Sequence, residues 1–183
     1  MVEETRKQLQ MIWPADRLKS PPDQPAPAGY ALRAYAESDA GDYVALMRAA
    51  GFSTWDAEKT RNALARCLPG GLFVLAHHPT GKLVATAMAI PTALENHPNG
   101  GELGWVAGDP AHKGKNLGCV VCAAATRRFL KAGFSDIFLR TDDYRLAAIK
   151  TYLKLGYAPL LFAPDMRARW NEVFRLLKMK ERL

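Results

Sequence analysis

Lys113-Gly114-Lys115-Asn116-Leu117-Gly118 sets two lysines and two glycines where an apolar strand, Glu102 to Ala107, gives way to an apolar helical run beginning Cys119-Val120-Val121-Cys122. Such a junction can hold an anion. The first turn of a helix has N–H groups without intrahelical partners and carries the positive end of the helix dipole. Gly114 and Gly118 let the backbone approach a ligand closely, and Lys113 and Lys115 add full positive charge, so phosphate or pyrophosphate suits these residue types. Two better-known phosphate motifs do not apply. A P-loop requires Gly-Lys followed by Ser or Thr, but Gly81-Lys82 and Gly114-Lys115 precede Leu83 and Asn116. A dinucleotide fingerprint spaces its glycines differently from Lys113 to Gly118.

The elements that must position this turn follow from periodicity and turn chemistry. Tyr30 to Tyr35 reads as a strand, Ser38-Asp39 caps a helix running through Ala50, and a second helix starts at Thr54 and ends near Leu68-Pro69-Gly70-Gly71. Leu72 to His77 and Lys82 to Ile90 form a hairpin about Pro79 to Gly81, and Pro91 to Gly101 is a loop. After the turn and its helix comes a buried strand, Ser135 to Thr141. A further helix follows from Asp142, with Gly156 just past its end, and then a last strand. Met166, Trp170, Val173, Phe174 and Leu177 fall at helical spacing, so Asp165 to Lys180 is expected as an amphipathic helix whose stripe suits the core or a homodimer contact. At the other end Leu9, Met11 and Trp13 alternate like a short strand, and Pro14 and Pro21 to Pro27 read as a stiff linker. Residues 1–28 are therefore expected as an extension, 29–163 as the core, and 164–183 as a helix of the same domain.

The Lys113 to Gly118 turn resembles the acyl-CoA pyrophosphate loop of the GNAT superfamily of N-acyltransferases, Arg/Gln-x-x-Gly-x-Gly/Ala. Lys113, Asn116 and Gly118 stand at its defining positions. Lys replaces Arg or Gln, and Asn replaces the middle Gly; Asn tolerates left-handed backbone better than most other residues. Downstream, Ala148, Tyr152, Gly156 and Tyr157 match the second signature, Asn-x-x-Ala-x-x-x-Tyr-x-x-x-Gly-Phe, with Arg145 where Asn is usual. The resemblance covers about residues 29 to 162. It implies an α/β (α+β) GNAT fold, a mixed sheet of six to seven strands flanked by helices, here with the C-terminal helix where many relatives have a hairpin strand.

The resemblance also implies roles. Acetyl-CoA or another acyl-CoA is the expected cosubstrate, bound by Trp105, Val106, Ala107, Lys113, Gly114, Lys115, Asn116, Leu117, Gly118, Arg145 and Ala148, and a small-molecule or peptide amine is the acceptor. Tyr152 is the expected acid for the leaving thiolate, since a phenol near pKa ~10 can protonate an alkyl thiolate, whose thiol has a pKa near ~8.5, without being ionised at neutral pH. Glu102 is the candidate base for the acceptor amine. A backbone N–H near Val106 or Ala107 is the implied oxyanion donor. Asp142 and Asp143 are expected to cap the following helix, and Arg145 either reaches the coenzyme or pairs with one of them. The competing reading is a GNAT-fold module that binds or senses acyl-CoA without turnover.

Composition narrows the remaining classes. At 183 residues, about half of them apolar, the chain suits one substantial core. No apolar run approaches a membrane span of ~20 residues, and Met1 to Arg6 lack a signal-peptide core, so a cytoplasmic protein is expected. Cys119 and Cys122 read as buried small hydrophobes, Cys67 is remote from them, and no second Cys pair completes a zinc site. His77, His78, His97 and His112 have no metal-ligand spacing, so no metal is expected. The net charge of +7 suits a polyanion such as coenzyme A. Its excess lies partly in a tail with Arg167, Arg169, Arg175, Lys178, Lys180 and Arg182. Without aromatic interleaving, neither a nucleic-acid platform nor membrane binding is expected.

Overall fold

Residues 72 to 91 form the hairpin that their alternation and turn residues dictate: β3 (Leu72–His77) and β4 (Leu83–Pro91) pair antiparallel, with Gly81 in the left-handed region at φ +69°. In this computed structural model residues 7–180 are described; Met1 to Arg6 and the tail's Arg182 lie outside the described residues. β2 (Tyr30–Ala34) joins β3 on one side and β5 (Gly101–Gly108) joins β4 on the other, both antiparallel. The helices α1 (Ala40–Ala49) and α2 (Ala57–Arg66) connect β2 to β3. The second helix starts later than Thr54 because Asp56 is its cap, accepting from the Lys59 N–H at 2.8 Å.

From β5 the chain crosses through α3 (Leu117–Lys131) to β6 (Ile137–Thr141), which lies parallel to β5, as a helical crossover allows. The crossover is tight. A Cβ on Gly101 would lie 2.6 Å from ring carbons of Phe129 and 2.9 Å from Phe134, so only glycine lets the strand start this close to the end of α3. The chain continues through α4 (Leu146–Leu155), β7 (Ala158–Leu160) and α5 (Met166–Leu177).

The first strand takes an unexpected seat. β1 (Leu9–Ile12) lies between β6 and β7, antiparallel to both, so the sheet order is β2-β3-β4-β5-β6-β1-β7. The residues read as an extension are built into the sheet because Leu9 and Met11, both fully buried, and Trp13 complete the face packed under α3, α4 and α5. The stripe of α5 is spent on the same core, where Met166, Trp170, Val173 and Phe174 are buried. On the opposite face Tyr43, Leu46, Met47 and Trp55 cover Leu72, Val74, Met88 and Ile90. No helix among the described residues is long and apolar enough to cross a membrane.

If β1 belongs to the cooperative unit, Met11→Ala lowers unfolding stability by about 2–5 kcal/mol, as for other buried Met-to-Ala changes. Lys19→Ala, on the exposed segment that follows, should change it by less than about 0.5 kcal/mol. Equal denaturation midpoints for both variants would place β1 outside that unit.

Candidate active site

β5 departs from regular pairing at the residues that matter most. Its register with β4 runs Ala107 opposite Thr86 and Gly104 opposite Met88, so Trp105 and Val106 together face Ala87 in a bulge. Trp105 sits at φ +47°, a conformation costly for a bulky side chain, of order 1–3 kcal/mol. Its ring is held against Trp55 and Phe52, with centroids at 4.6 and 5.9 Å. With β6 the pairing is shorter still, covering only Gly101 with Ile137 and Glu102 with Phe138. Past that rung the two strands part.

A cavity of about 290 Å³ fills the fork, walled by Glu102 to Val106 of β5, Arg140 and Thr141 of β6, and Asp142, Arg145, Ala148 and Tyr152. Gln8, Phe52, Arg66 and Ile90 also line it. A second, of about 390 Å³, lies between Val106, Ala107 and Gly108 and the start of α4, with Tyr144, Leu146 and Ala147. Val106, Arg145 and Ala148 line both, so the cavities meet there.

Tyr152 lines the fork cavity. It is buried on α4, and its hydroxyl has no recorded hydrogen-bond partner among the described residues. Burial, reinforced by the neighbouring Cys122 and Tyr157, pushes the phenol well above its ordinary range and keeps it protonated. Gly156 ends the helix at φ +118°, and its N–H bonds the Tyr152 carbonyl at 3.0 Å. A Cβ there would collide with the guanidinium of Arg17. Tyr157, the next residue, is buried with its hydroxyl 2.8 Å from Thr126 Oγ1.

Glu102 faces the same fork but is not an open carboxylate. Arg140 donates from Nε to Oε1 at 2.8 Å and from Nη2 to Oε2 at 3.0 Å, and the carboxylate in turn strengthens the hold of Arg140 on its proton. The expected caps of α4 are also otherwise engaged. The helix begins one residue after Arg145, which is its N-cap without a side-chain cap bond, so residues 142 to 145 form a turn. Asp142 accepts from Gln8 Nε2 and Arg145 Nε, each at 3.0 Å, while Asp143 accepts from Arg169 Nη2 at 2.6 Å. Arg145 thus pairs with Asp142, and its guanidinium lies 5.7 Å from the Phe52 ring centroid.

The basic turn stands apart from both cavity walls. Gly114 and Asn116 are left-handed at φ +85° and +61°, and Asn116 is the N-cap of α3. Asn116 Oδ1 accepts from Lys154 Nζ at 3.0 Å, and its Nδ2 donates to Gln24 at 3.3 Å. Lys113 is exposed and has no partner among the described residues. Lys115 donates to the Tyr30 hydroxyl at 2.9 Å; that hydroxyl lies 2.8 Å from His112 Nδ1. Leu117 points into the core, so only its backbone is available to a ligand. A Cβ on Gly118 would lie 3.4 Å from Thr151 Cγ2, an ordinary van der Waals contact with α4.

The cysteines are buried or half-buried free thiols. Burial raises Cys119 and Cys122 and pushes Cys67 up to about 11. His97 is buried between Asp136 and Gln10, at 2.7 and 3.1 Å, and among the described residues no three of His, Cys, Asp and Glu gather as metal ligands. The site residues that sequence reasoning missed are Arg140, Arg66, Gln8 and Phe52. The one available signal was an arginine in the otherwise apolar run Ile137-Phe138-Leu139.

The model of the acetyltransferase (GNAT) family matches residues 28–157. Mycothiol acetyltransferase of Nocardia farcinica is 28% identical over 161 residues, 81% of this chain and 52% of that protein. The chain therefore spans about half the length of this curated relative. Among solved structures, a GCN5-related N-acetyltransferase from Sphaerobacter thermophilus superposes with a TM-score of 0.64 at 17% identity, covering 85% of this chain and 50% of its own. A GNAT-family acetyltransferase from Colwellia psychrerythraea gives 0.64 at 15%, covering 84% and 52%. Both share the fold.

The left-handed Asn116 makes a separable prediction. Asn116→Gly should unfold within about 0.5 kcal/mol of the parent, whereas Asn116→Val should lose roughly 1–2 kcal/mol, because a branched side chain resists this conformation. Equal losses in chemical denaturation would assign the effect to the side-chain hydrogen bonds instead.

Proposed function

The chain belongs to the acetyltransferase (GNAT) family, and on that premise we propose that it is an N-acyltransferase moving an acetyl or other short acyl group from acyl-CoA to an amine by direct attack. The observation that carries this reading is Tyr152, a buried residue in the wall of the fork cavity whose hydroxyl has no hydrogen-bond partner among the described residues. The cavity between the end of β5 and the start of α4 suits the pantetheine arm, against Val106, Ala107 and Ala148. The pyrophosphate suits the turn at 113–118, where Lys113 supplies unpaired charge and Gly114, Asn116 and the first turn of α3 supply backbone. Lys115, held by Tyr30, contributes at longer range.

The cavity in the fork then receives the acceptor. A neutral amine attacks the thioester carbonyl carbon; the C–N bond forms, the carbonyl oxygen becomes an oxyanion, and the C–S bond breaks. The backbone N–H of Val106 or Ala107, past the last rung shared with β6, is the candidate oxyanion donor. Tyr152 gives its proton to the departing sulfur. The surplus proton on nitrogen passes through water to Glu102, each of whose oxygens keeps a lone-pair site beyond its bond to Arg140. Water then reprotonates Tyr152 as Glu102 releases its proton, so the net transfer is one proton from nitrogen to sulfur. The reading fits a cytoplasmic enzyme, where free thiols and acyl-CoA coexist.

Tyr152→Phe should lower kcat about 10²–10⁴-fold, the usual worth of a positioned acid, with coenzyme A affinity by calorimetry unchanged. A fall in affinity without a fall in kcat would remove Tyr152 from the chemistry. Because burial raises this phenol above its ordinary ~10, its proton remains available in alkali. The rate should therefore climb as the acceptor amine deprotonates, with no falling limb below about pH 10.

A further inference from the structure

Charge is unevenly spent in the fork. Arg66, Arg140 and Arg145 share its wall with Glu102 and Asp142, three positive groups against two negative. Both carboxylates are already taken, Glu102 by Arg140 and Asp142 by Arg145 and Gln8. Arg66, the last residue of α2, has no recorded partner among the described residues. Arg140 commits two N–H groups to Glu102, out of the five that a guanidinium carries. The wall therefore offers more guanidinium donors than acceptors, and planar guanidinium forks pair best with carboxylate or phosphate oxygens. A simple cationic amine gains little here, since its protonated form meets excess positive charge.

Resting on the acyl-transfer reading, we infer that the acceptor is a small amine that also carries an acid group, with the acid held by Arg66 and Arg140 and the amine turned toward Tyr152. The cavity, about 290 Å³, lies just below the ~300–1,000 Å³ range of small-molecule sites, which favours a compact amino acid or amino phosphate over a long peptide.

The test pairs acceptors that differ only in charge: L-alanine with L-alaninamide, and phosphoethanolamine with ethanolamine. Thiol release from acetyl-CoA gives kcat/KM, and quenching of the cavity's Trp105 gives acceptor binding without coenzyme. At least one acid should exceed its neutral partner by about tenfold or more in both readouts, and which pair does so separates carboxylate from phosphate. The amide's amine is less basic and more often neutral, so that pair is biased against the inference. Arg66→Gln should raise KM for the preferred acid several-fold and leave the neutral partner's KM unchanged. Equal or better handling of the neutral partners, or an Arg66→Gln effect common to both, overturns the inference. Calorimetry with acetyl-CoA separates the two failures: absent coenzyme binding sinks the acyl-transfer reading, while the fluorescence titration still decides the acceptor's charge.

Discussion

Past Glu102 and Phe138 the backbones of β5 and β6 stop pairing, and the rest of the molecule is organised around that parting. An opened sheet leaves N–H and C=O groups without ladder partners, which is tolerable only where water or a ligand can meet them. The bulge at Trp105 and Val106 bends β5 away, and the aromatic cluster with Trp55 and Phe52 holds the bend. The halves must then be joined from behind. α3 packs on β3, β4 and β5 and shares one apolar core with β1 and β6, with Gly101 pressed against Phe129, and β1 gives the far half its own centre through four rungs with β6 and three with β7. Without β1, β6 would reach the fork paired at two rungs only.

The charged groups continue the ladder by other means. Arg140 grips Glu102 across β5 and β6 close to where their hydrogen bonds end, so an ion pair follows the last rung. The turn from Asp142 to Arg145 is fixed from outside by Arg169, 8% exposed at its side chain, which bonds Asp143, Asp165 and the Lys7 carbonyl. Pairs of this kind contribute little net stability compared with apolar packing, because desolvation offsets attraction. Their value is orientation. They fix the turn that presents Asp142 and Arg145 to the cavity, while the apolar core beneath fixes Tyr152.

What the sequence disclosed and what it withheld divide by range. The alternation of Leu9, Met11 and Trp13, the hairpin about Gly81, the stripe of α5 and the glycine after α4 are local signals, and each element formed where its signal lay. The seat of β1 depends on pairing with residues more than a hundred positions away, for which alternation has no information. Glu102 was visible as a carboxylate near the turn, but its engagement by Arg140 depends on a parallel register set by the α3 crossover. The acidic run at Asp142 read as caps because composition favours that at a helix start, yet the distant guanidinium of Arg169 and the side chain of Gln8 claimed the oxygens.

The basic turn carries this furthest, because its matching positions do different physical jobs. At Asn116 the requirement is conformational: a left-handed residue must precede α3, and asparagine meets it while its side chain ties the turn to Lys154 and Gln24. At Gly118 it is open backbone for a ligand, since a Cβ there would make only ordinary contact with Thr151 on α4. At Lys113 it is electrostatic, and Lys113 can meet it because its neighbour Lys115 is the one drawn off to Tyr30. A departure from a motif therefore has no fixed weight. Lysine for arginine keeps a charge but loses the planar fork, whereas asparagine for glycine keeps a dihedral angle.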